Sequence, residues 1–303
     1  MFSIMIPTWN NLDYLKLCIH SIKQNSVLDH EILIHVNEGE GPDGTLEWVR
    51  SQGIRHSYAR KNVGICLSVN YLAAQASHEW LLYLNDDMVC CPGWDTALIN
   101  AVRQTPNNLA MFFSTLIEPT NTGNALVLVQ DFGRAPGEFD EARMLTNYMM
   151  HPRADLLGQA SQPTLVHRIW WQIVGGYSLE YGPGMSSDDD LLMKFWVAGC
   201  REFRIIGSSR VYHFVQKTTK RVRCNHGGRT FVMKWGITQR EFKRDYLSKS
   251  GQLVGQTDRL PQATLVGKMK RLGYGLQNYP LGDLKAWDAA PGCHIVDLAA
   301  SRS

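Results

Sequence analysis

Over the first 110 residues, short apolar runs alternate with stretches of helical spacing. Phe2 to Ile6 is apolar apart from Ser3, is stopped by Pro7, and predicts a buried strand. Asn10 or Asn11 is placed to cap a following helix, whose Leu12, Leu15, Ile19 and Ile22 fall on one face. Glu31 to Val36 predicts a second strand, ending in a turn of Gly, Glu, Pro and Asp from Asn37 to Gly44. Thr45 to Ser51 continues as a short helix and Arg55 to Ala59 as a third strand. Gly64 opens a helix with the apolar stripe Ile65, Val69, Leu72, Ala73 and Ala76, and Trp80 to Leu84 is a fourth strand without a polar position. Near-continuous apolar strands between helices predict a mostly parallel, doubly wound α/β sheet covered on both faces. Ligands of such sheets bind at the carboxyl ends of the strands. The loops Thr8 to Asn11, Asn37 to Gly44 and Asn85 to Asp87 are therefore expected to converge.

After Trp94 the pattern loosens. Ala110 to Ser114 predicts a strand, Pro119 to Glu138 irregular or hairpin structure, and His167 to Val174 a short helix before the turn Gly175-Gly176-Tyr177. A helix is expected over Asp188 to Ala198, strands within Arg204 to Phe214, and an amphipathic helix over Thr238 to Ser248. No repeat or low-complexity linker divides the chain. The expected organisation is a domain over 1–240, made of a nucleotide-binding half (1–110) and an acceptor-binding half (111–240), followed by a helical extension over 241–303.

Composition changes this picture little: 44% hydrophobic and 19% charged residues are an ordinary globular balance, and a net charge of +3 does not argue for nucleic acid. The distribution of charge says more. Between Arg201 and Tyr246 twelve Lys and Arg face three Asp and Glu, a tract suited to phosphates or an anionic surface, or else a solvated face. The seven cysteines form no C-x-x-C pair, and Cys224 with His226 lacks two further ligands for zinc. Reduced thiols, no apolar run of ~20 residues to span a bilayer, and an opening without a signal-peptide shape lead to the expectation of a cytoplasmic protein, with peripheral membrane contact left open.

Several polar groups stand where chemistry is expected. Two carboxylates after the apolar strand, Asp86 and Asp87 beside Asn85, call for a positive partner such as Mg²⁺ or Mn²⁺; they would also serve as turn or helix caps. Asn37 and Glu38 would accept hydrogen bonds from a ribose or base, or form an ordinary acidic turn. Asn62 and Gly64, with Asn70, offer helix-terminal amides to a phosphate, or a plain cap. Ser187-Asp188-Asp189-Asp190 opens a helix, where acids suit the macrodipole; three in a row point to one exposed as a general base. His213, between apolar residues, reads as a metal ligand or a core histidine. Trp170, Trp171 and Tyr177 offer rings to a sugar acceptor or pack in the core.

Taken in order, these segments resemble the inverting family 2 glycosyltransferases of the GT-A fold. Ser3 to Asn10, with Pro7, Thr8 and Asn10, is similar to that family's first strand and nucleotide loop. Asn37-Glu38-Gly39 with Asp43-Gly44-Thr45 is similar to its second loop, usually written with two aspartates, and Asn62-Val63-Gly64 with Asn70 to a pattern ahead of the metal motif. Asn85-Asp86-Asp87 sits where the Asp-x-Asp-like triplet belongs. Gly175-Gly176-Tyr177 resembles the turn before the acceptor site, Ser187 to Leu191 the base segment, and His213 the late metal-binding histidine. Asn225, Phe231 and Lys234-Trp235-Gly236 resemble a closing segment. The resemblance covers residues 2 to 240 and departs from the family at Asn37-Glu38, and at Ser187 where Glu is frequent.

The resemblance implies direct displacement from a nucleotide-sugar, most commonly a UDP-sugar. Asp87 and His213 would hold Mn²⁺ or Mg²⁺, Asp86 and Glu38 the nucleoside, and Asp188, with Asp189 close behind, would act as base. Lys217, Lys220, Arg221 and Arg223 would close over the diphosphate. The acceptor is left open among a glycan, a lipid-linked saccharide, a protein and a nucleic acid. Two other readings compete. A nucleotidyltransferase would be expected to carry a Gly-rich, basic loop where Pro7-Thr8-Trp9-Asn10 stands, and a nucleotide- or glycan-binding module without activity sits poorly with the intact acids.

Overall fold

The computed structural model describes residues 1–39, 41, 43–160, 162–215, 225–247 and 259–276. Among the described residues ten strands form one sheet: β1 (Ser3–Trp9), β2 (Glu31–Asn37), β3 (Arg55–Ala59), β4 (Trp80–Tyr83), β5 (Met88–Cys90), β6 (Ala110–Glu118), β7 (Leu128–Val129), β8 (Leu156–Leu157), β9 (Thr164–His167) and β10 (Glu202–His213). Their order is β3-β2-β1-β4-β9-β6-β10-β5, with β7 beside β6 and β8 beside β10. The described helices are α1 (Leu12–Asn25), α2 (Thr45–Ser51), α3 (Gly64–Gln75), α4 (Trp94–Gln104), α5 (Glu141–Asn147), α6 (Arg168–Val174), α7 (Ser187–Val197), α8 (Gly227–Trp235), α9 (Gln239–Asp245) and α10 (Leu265–Leu276).

The strand pleat sorts side chains between two layers. Ile4, Ile6, Leu82, Leu84 and Phe112 pack with Leu15 and Ile19 of α1, Leu46 and Val49 of α2, and Leu98 of α4. Met5, Leu81, Tyr83, Met111 and Phe113 face the other way, onto Val69 and Leu72 of α3, Trp171 of α6, and Leu191 and Phe195 of α7. This two-sided burial accounts for the near-continuous apolar strands. A third cluster, with Tyr14, Val89, Ile117, Tyr212 and Phe214, closes the end of the sheet where β5, β6 and β10 meet.

The expected α/β architecture is present, with three differences. The first strand does not stop at Pro7 but runs to Trp9. Strand β4 pairs with β1 only as far as Met5, while β2 follows β1 to Trp9. The Leu84 amide bonds the Met5 carbonyl, so the edge of Pro7 that lacks an N–H faces where β4 has left. Secondly, β9 enters antiparallel between β4 and β6, and β5 pairs antiparallel with β10. Because β4 pairs with β9 and β5 with β10, the sheet runs across the expected boundary at residue 110. Thirdly, Arg204 to Phe214 lies largely within one long strand, β10, bulged between Ile206 and Arg210 where it pairs with β6. None of the described helices is long and apolar enough to cross a membrane.

Candidate active site

The carboxyl ends of β1, β2, β4 and β6 carry the polar groups that the apolar strands exclude. Asp86 and Asp87 follow β4 after Leu84 and Asn85. Asp86 accepts from Thr8 Oγ1 at 2.7 Å and Asn11 Nδ2 at 3.0 Å, so the first loop fixes its position. Asp87 is buried and meets a histidine from far along the chain. The antiparallel pairing of β5 with the end of β10 sets His213 opposite Met88, and the Phe214 amide donates to the Asp87 carbonyl at 3.2 Å. His213 Nε2 then lies 3.5 Å from Asp87 Oδ2, and its Nδ1 lies 3.2 Å from Glu118 Oε1 at the end of β6.

Burial by itself would lower the pKa of His213, but the charge and hydrogen bond of Asp87, reinforced by Glu118, raise it to about 9. An imidazolium held between two carboxylates is the protonated counterpart of a histidine that ligates through one nitrogen and is oriented by a carboxylate through the other. Asp87 and His213 therefore suit a hard divalent cation, with Glu118 orienting the ring. Among the described residues no group of three His, Cys, Asp or Glu side chains is placed to hold a metal ion. A cation here would complete its shell from phosphate oxygens and water, as Mg²⁺ commonly does. Sequence reasoning missed Glu118, whose signal is a lone acid ending a long buried strand.

The second loop packs against the first. Glu38 Oε2 accepts from the Trp9 indole and from Asn10 Nδ2. Asn10 (φ 47°) and Glu38 (φ 54°) both adopt the left-handed conformation, as do Ser186 (φ 70°) before α7 and Val215 (φ 58°) after β10. Such backbone costs about 1–3 kcal/mol per residue and collects at functional sites.

The three consecutive aspartates divide their work. Asp190 is fully buried, takes the indole N–H of Trp235 at 2.8 Å and the Ser178 hydroxyl at 2.6 Å, and pairs with Lys234 at 2.9 Å. It anchors α8 to α7. Asp189 takes the Gln239 amide and pairs with Lys243 at 2.6 Å, anchoring α9. Asp188 is half-buried, and among the described residues its hydrogen bonds, from Tyr177 Oη at 2.7 Å and Gln162 Nε2 at 3.0 Å, both fall on Oδ1. Burial raises the Asp188 pKa against those two hydrogen bonds and the Lys243 charge, with Asp189 adding to the rise. Asp188 reaches the end of β4 through Tyr177, whose ring packs edge-on against Tyr83. The phenol of Tyr83, buried at the end of β4, is pushed up first by burial, then by the charge of Asp188, and then by those of Asp86 and Asp87.

Other expected site residues have structural work instead. Pro7 is buried within β1. Asn37 is buried, donates to Ser68 Oγ at 3.2 Å and accepts from the Val63 amide at 2.9 Å, so its amide braces the loop before α3. The amides expected to meet a phosphate at α3 are occupied: Gly64 donates to Asn62 Oδ1 and Ile65 to the Pro183 carbonyl, each at 2.8 Å. Gly64 is required for its φ of 77° and for Pro183, whose backbone would clash with a Cβ at 2.7 Å. Asn70 makes two hydrogen bonds to the Tyr177 backbone, and a Cβ on Gly176 would strike Asn70 and Trp171. The rings of Trp171 and Tyr177 pack edge to face in the core and leave no face for an acceptor. The indole of Trp170 bonds Asn108, just before β6, at the opposite end of the sheet from the acids. Asn85 is half-buried, with its carbonyl near Cys18. Lys217 and the basic residues 220, 221 and 223 lie outside the described residues.

A cavity of about 440 Å³ adjoins the start of α7; Met185, Ser186, His226, Arg229, Arg240 and Lys270 are among its walls, and among the described residues no acid lines it.

Residues 3–153 match the family described as Glycosyl transferase family 2. No curated protein matches the chain in sequence. Among solved structures, S. aureus TarS 1-349 in complex with UDP is similar, with 12% identity and a TM-score of 0.51 over 70% of this chain and 59% of that one. The longer S. aureus TarS structure gives 14% identity and 0.54, over 78% of this chain and 40% of that one. GalNAc-T7 with UDP, GalNAc and Mn2+ gives 12% identity and 0.57, over 93% of this chain and 58% of that one. The chain thus spans less than two thirds of each of these proteins, and the likeness is one of fold.

The division among the aspartates predicts opposite outcomes for neighbouring substitutions. Asp190→Ala leaves the Trp235 indole and the Ser178 hydroxyl without their acceptor, while Lys234 keeps Glu180, and should cost about 1–3 kcal/mol in chemical denaturation, whether or not nucleotide is present. A loss below about 1 kcal/mol contradicts the anchoring role.

Proposed function

We propose that this chain, which belongs to glycosyltransferase family 2 and has the GT-A fold, transfers a sugar from a UDP-sugar to an acceptor hydroxyl with inversion at the anomeric carbon. The observation that carries this reading is the grouping of Asp86, Asp87 and the His213–Glu118 pair past the end of β4, with one half-buried acid, Asp188, bonded to the Tyr177 that packs on Tyr83 of the same strand. UDP in the TarS complex, and UDP with Mn2+ in GalNAc-T7, support the choice of donor and cation.

In this reading Asp86, held by Thr8 and Asn11, accepts from the ribose hydroxyls, and Glu38, held by Trp9 and Asn10, accepts from the nucleoside. Asp87 and His213 would hold Mn²⁺ or Mg²⁺, which supplies charge neutralisation for the departing diphosphate. Asp188 takes the proton from the acceptor hydroxyl, whose oxygen bonds to the anomeric carbon as the bond to the diphosphate breaks. A carboxyl raised by burial is better matched to that proton than an exposed aspartate.

Asp188→Asn should lower transfer by about a hundredfold or more while leaving UDP affinity intact. Its melting temperature at neutral pH should not fall. A carboxyl whose pKa is raised by folding binds its proton more tightly in the folded state, so stability is lost as pH rises through the folded value, and the amide removes that cost. The acid limb of kcat/KM should lie above the ordinary aspartate range. Wild-type turnover in the variant refutes the assignment of the base. Chelation should stop transfer and Mn²⁺ restore it; activity indifferent to chelator removes the cation from Asp87 and His213.

A further inference from the structure

Helix α10 is built the wrong way round for a helix that only packs on its own protein. Leu265, Met269, Leu272 and Leu276 follow the spacing i, i+4, i+7, i+11 and form a single stripe. They are 75%, 67%, 68% and 80% exposed. The opposite face meets the protein through Gly267, where a Cβ would collide with the Gly236 carbonyl, and through Arg271, which donates to the carbonyls of Val232 and Lys234 at 2.9 Å each. Four large apolar side chains on one exposed turn-spaced stripe are not explained by the transferase chemistry.

We propose that α10 lies on an anionic bilayer surface, its stripe inserted among the acyl chains and its cations at headgroup level. Charge supports this occupant over others. Residues 259–276 carry Arg259, Lys268, Lys270 and Arg271 and no acid. Lys268 flanks the stripe and Lys270 leaves the helix on the other side, toward the cavity beside α7, so exposed cations accompany the apolar face, as in interfacial helices, which combine apolar burial with attraction to negative headgroups. A second copy of α10 laid along the stripe would set Lys268 against like charge. The helix axis would run parallel to the surface, with the protein body behind it. Lys270 also lines the cavity beside α7, so docking would bring that cavity near the bilayer. The proposal does not depend on the transferase reading.

The full chain should co-sediment with vesicles of phosphatidylcholine containing about 30% phosphatidylglycerol, and less with phosphatidylcholine alone. Met269→Ser with Leu272→Ser, at exposed positions, should reduce partitioning by at least about tenfold while the melting temperature is unchanged. A Leu272→Trp variant should show a blue shift of emission on adding the anionic vesicles. Wild-type protein that stays in solution, serine variants that sediment equally well, or a wild-type dimer that the serine substitutions turn into monomers would each overturn the proposal. Emission from the Leu272→Trp variant that differs from that of the wild type by an already blue, vesicle-insensitive component would do the same, because the stripe is then covered by residues 277–303.

Discussion

Two carboxylates, Asp86 and Asp87, leave the end of a strand that is buried on both faces, and much of the surrounding structure answers their charge. Thr8 and Asn11 reach across from the first loop to one of them; the end of β10 is turned antiparallel onto β5 so that His213 reaches the other. Glu118, at the end of β6, then orients the imidazole. A strand covered by helices cannot carry ionised groups in its middle, so the acids collect where the strands stop, and the topology decides which of them meet.

The same economy governs α7. Three adjacent acids at a helix start would repel one another if all faced one solvent space. Successive helical positions point in different directions, so each meets a different neighbour. Lys234 and Trp235 fasten to Asp190, and Gln239 and Lys243 to Asp189, which secures α8 and α9 against the sheet. Asp188 is left turned toward Tyr177 and Gln162. Stability and chemistry are thus carried by consecutive residues, and the first rests on burying what the second must leave within reach.

The first 85 residues were the most legible in sequence because their strands are parallel and crossed over by helices, so each element keeps its own period. The four strand positions and the three polar loops followed from that. What escaped was set by long-range pairing. β9 is four residues long and borders a helical pattern, so Thr164 to His167 carried no period of its own. β5 is shorter still, and only its partner β10 makes Met88 to Cys90 a strand. At the site, the acids were found because charge after an apolar run is conspicuous. Trp171, Tyr177, Asn37 and Gly64 were assigned to ligands because residue type cannot say whether a ring or amide is already engaged. Burial of the rings, the Asn62 and Pro183 contacts at α3, and the Asn70 bonds to Tyr177 engage them within the protein.

If the acids at β4 form one nucleotide site that is completed by a cation, UDP binding depends on both. Titrating UDP into wild-type protein and into Asp87→Ala, with Mn²⁺ and with chelator, tests this most directly. UDP should bind wild type measurably only with Mn²⁺, and lose about 1.4 kcal/mol, a factor of ten, or more in Asp87→Ala under the same conditions. Equal UDP affinity with chelator, or equal affinity in the variant, would contradict it.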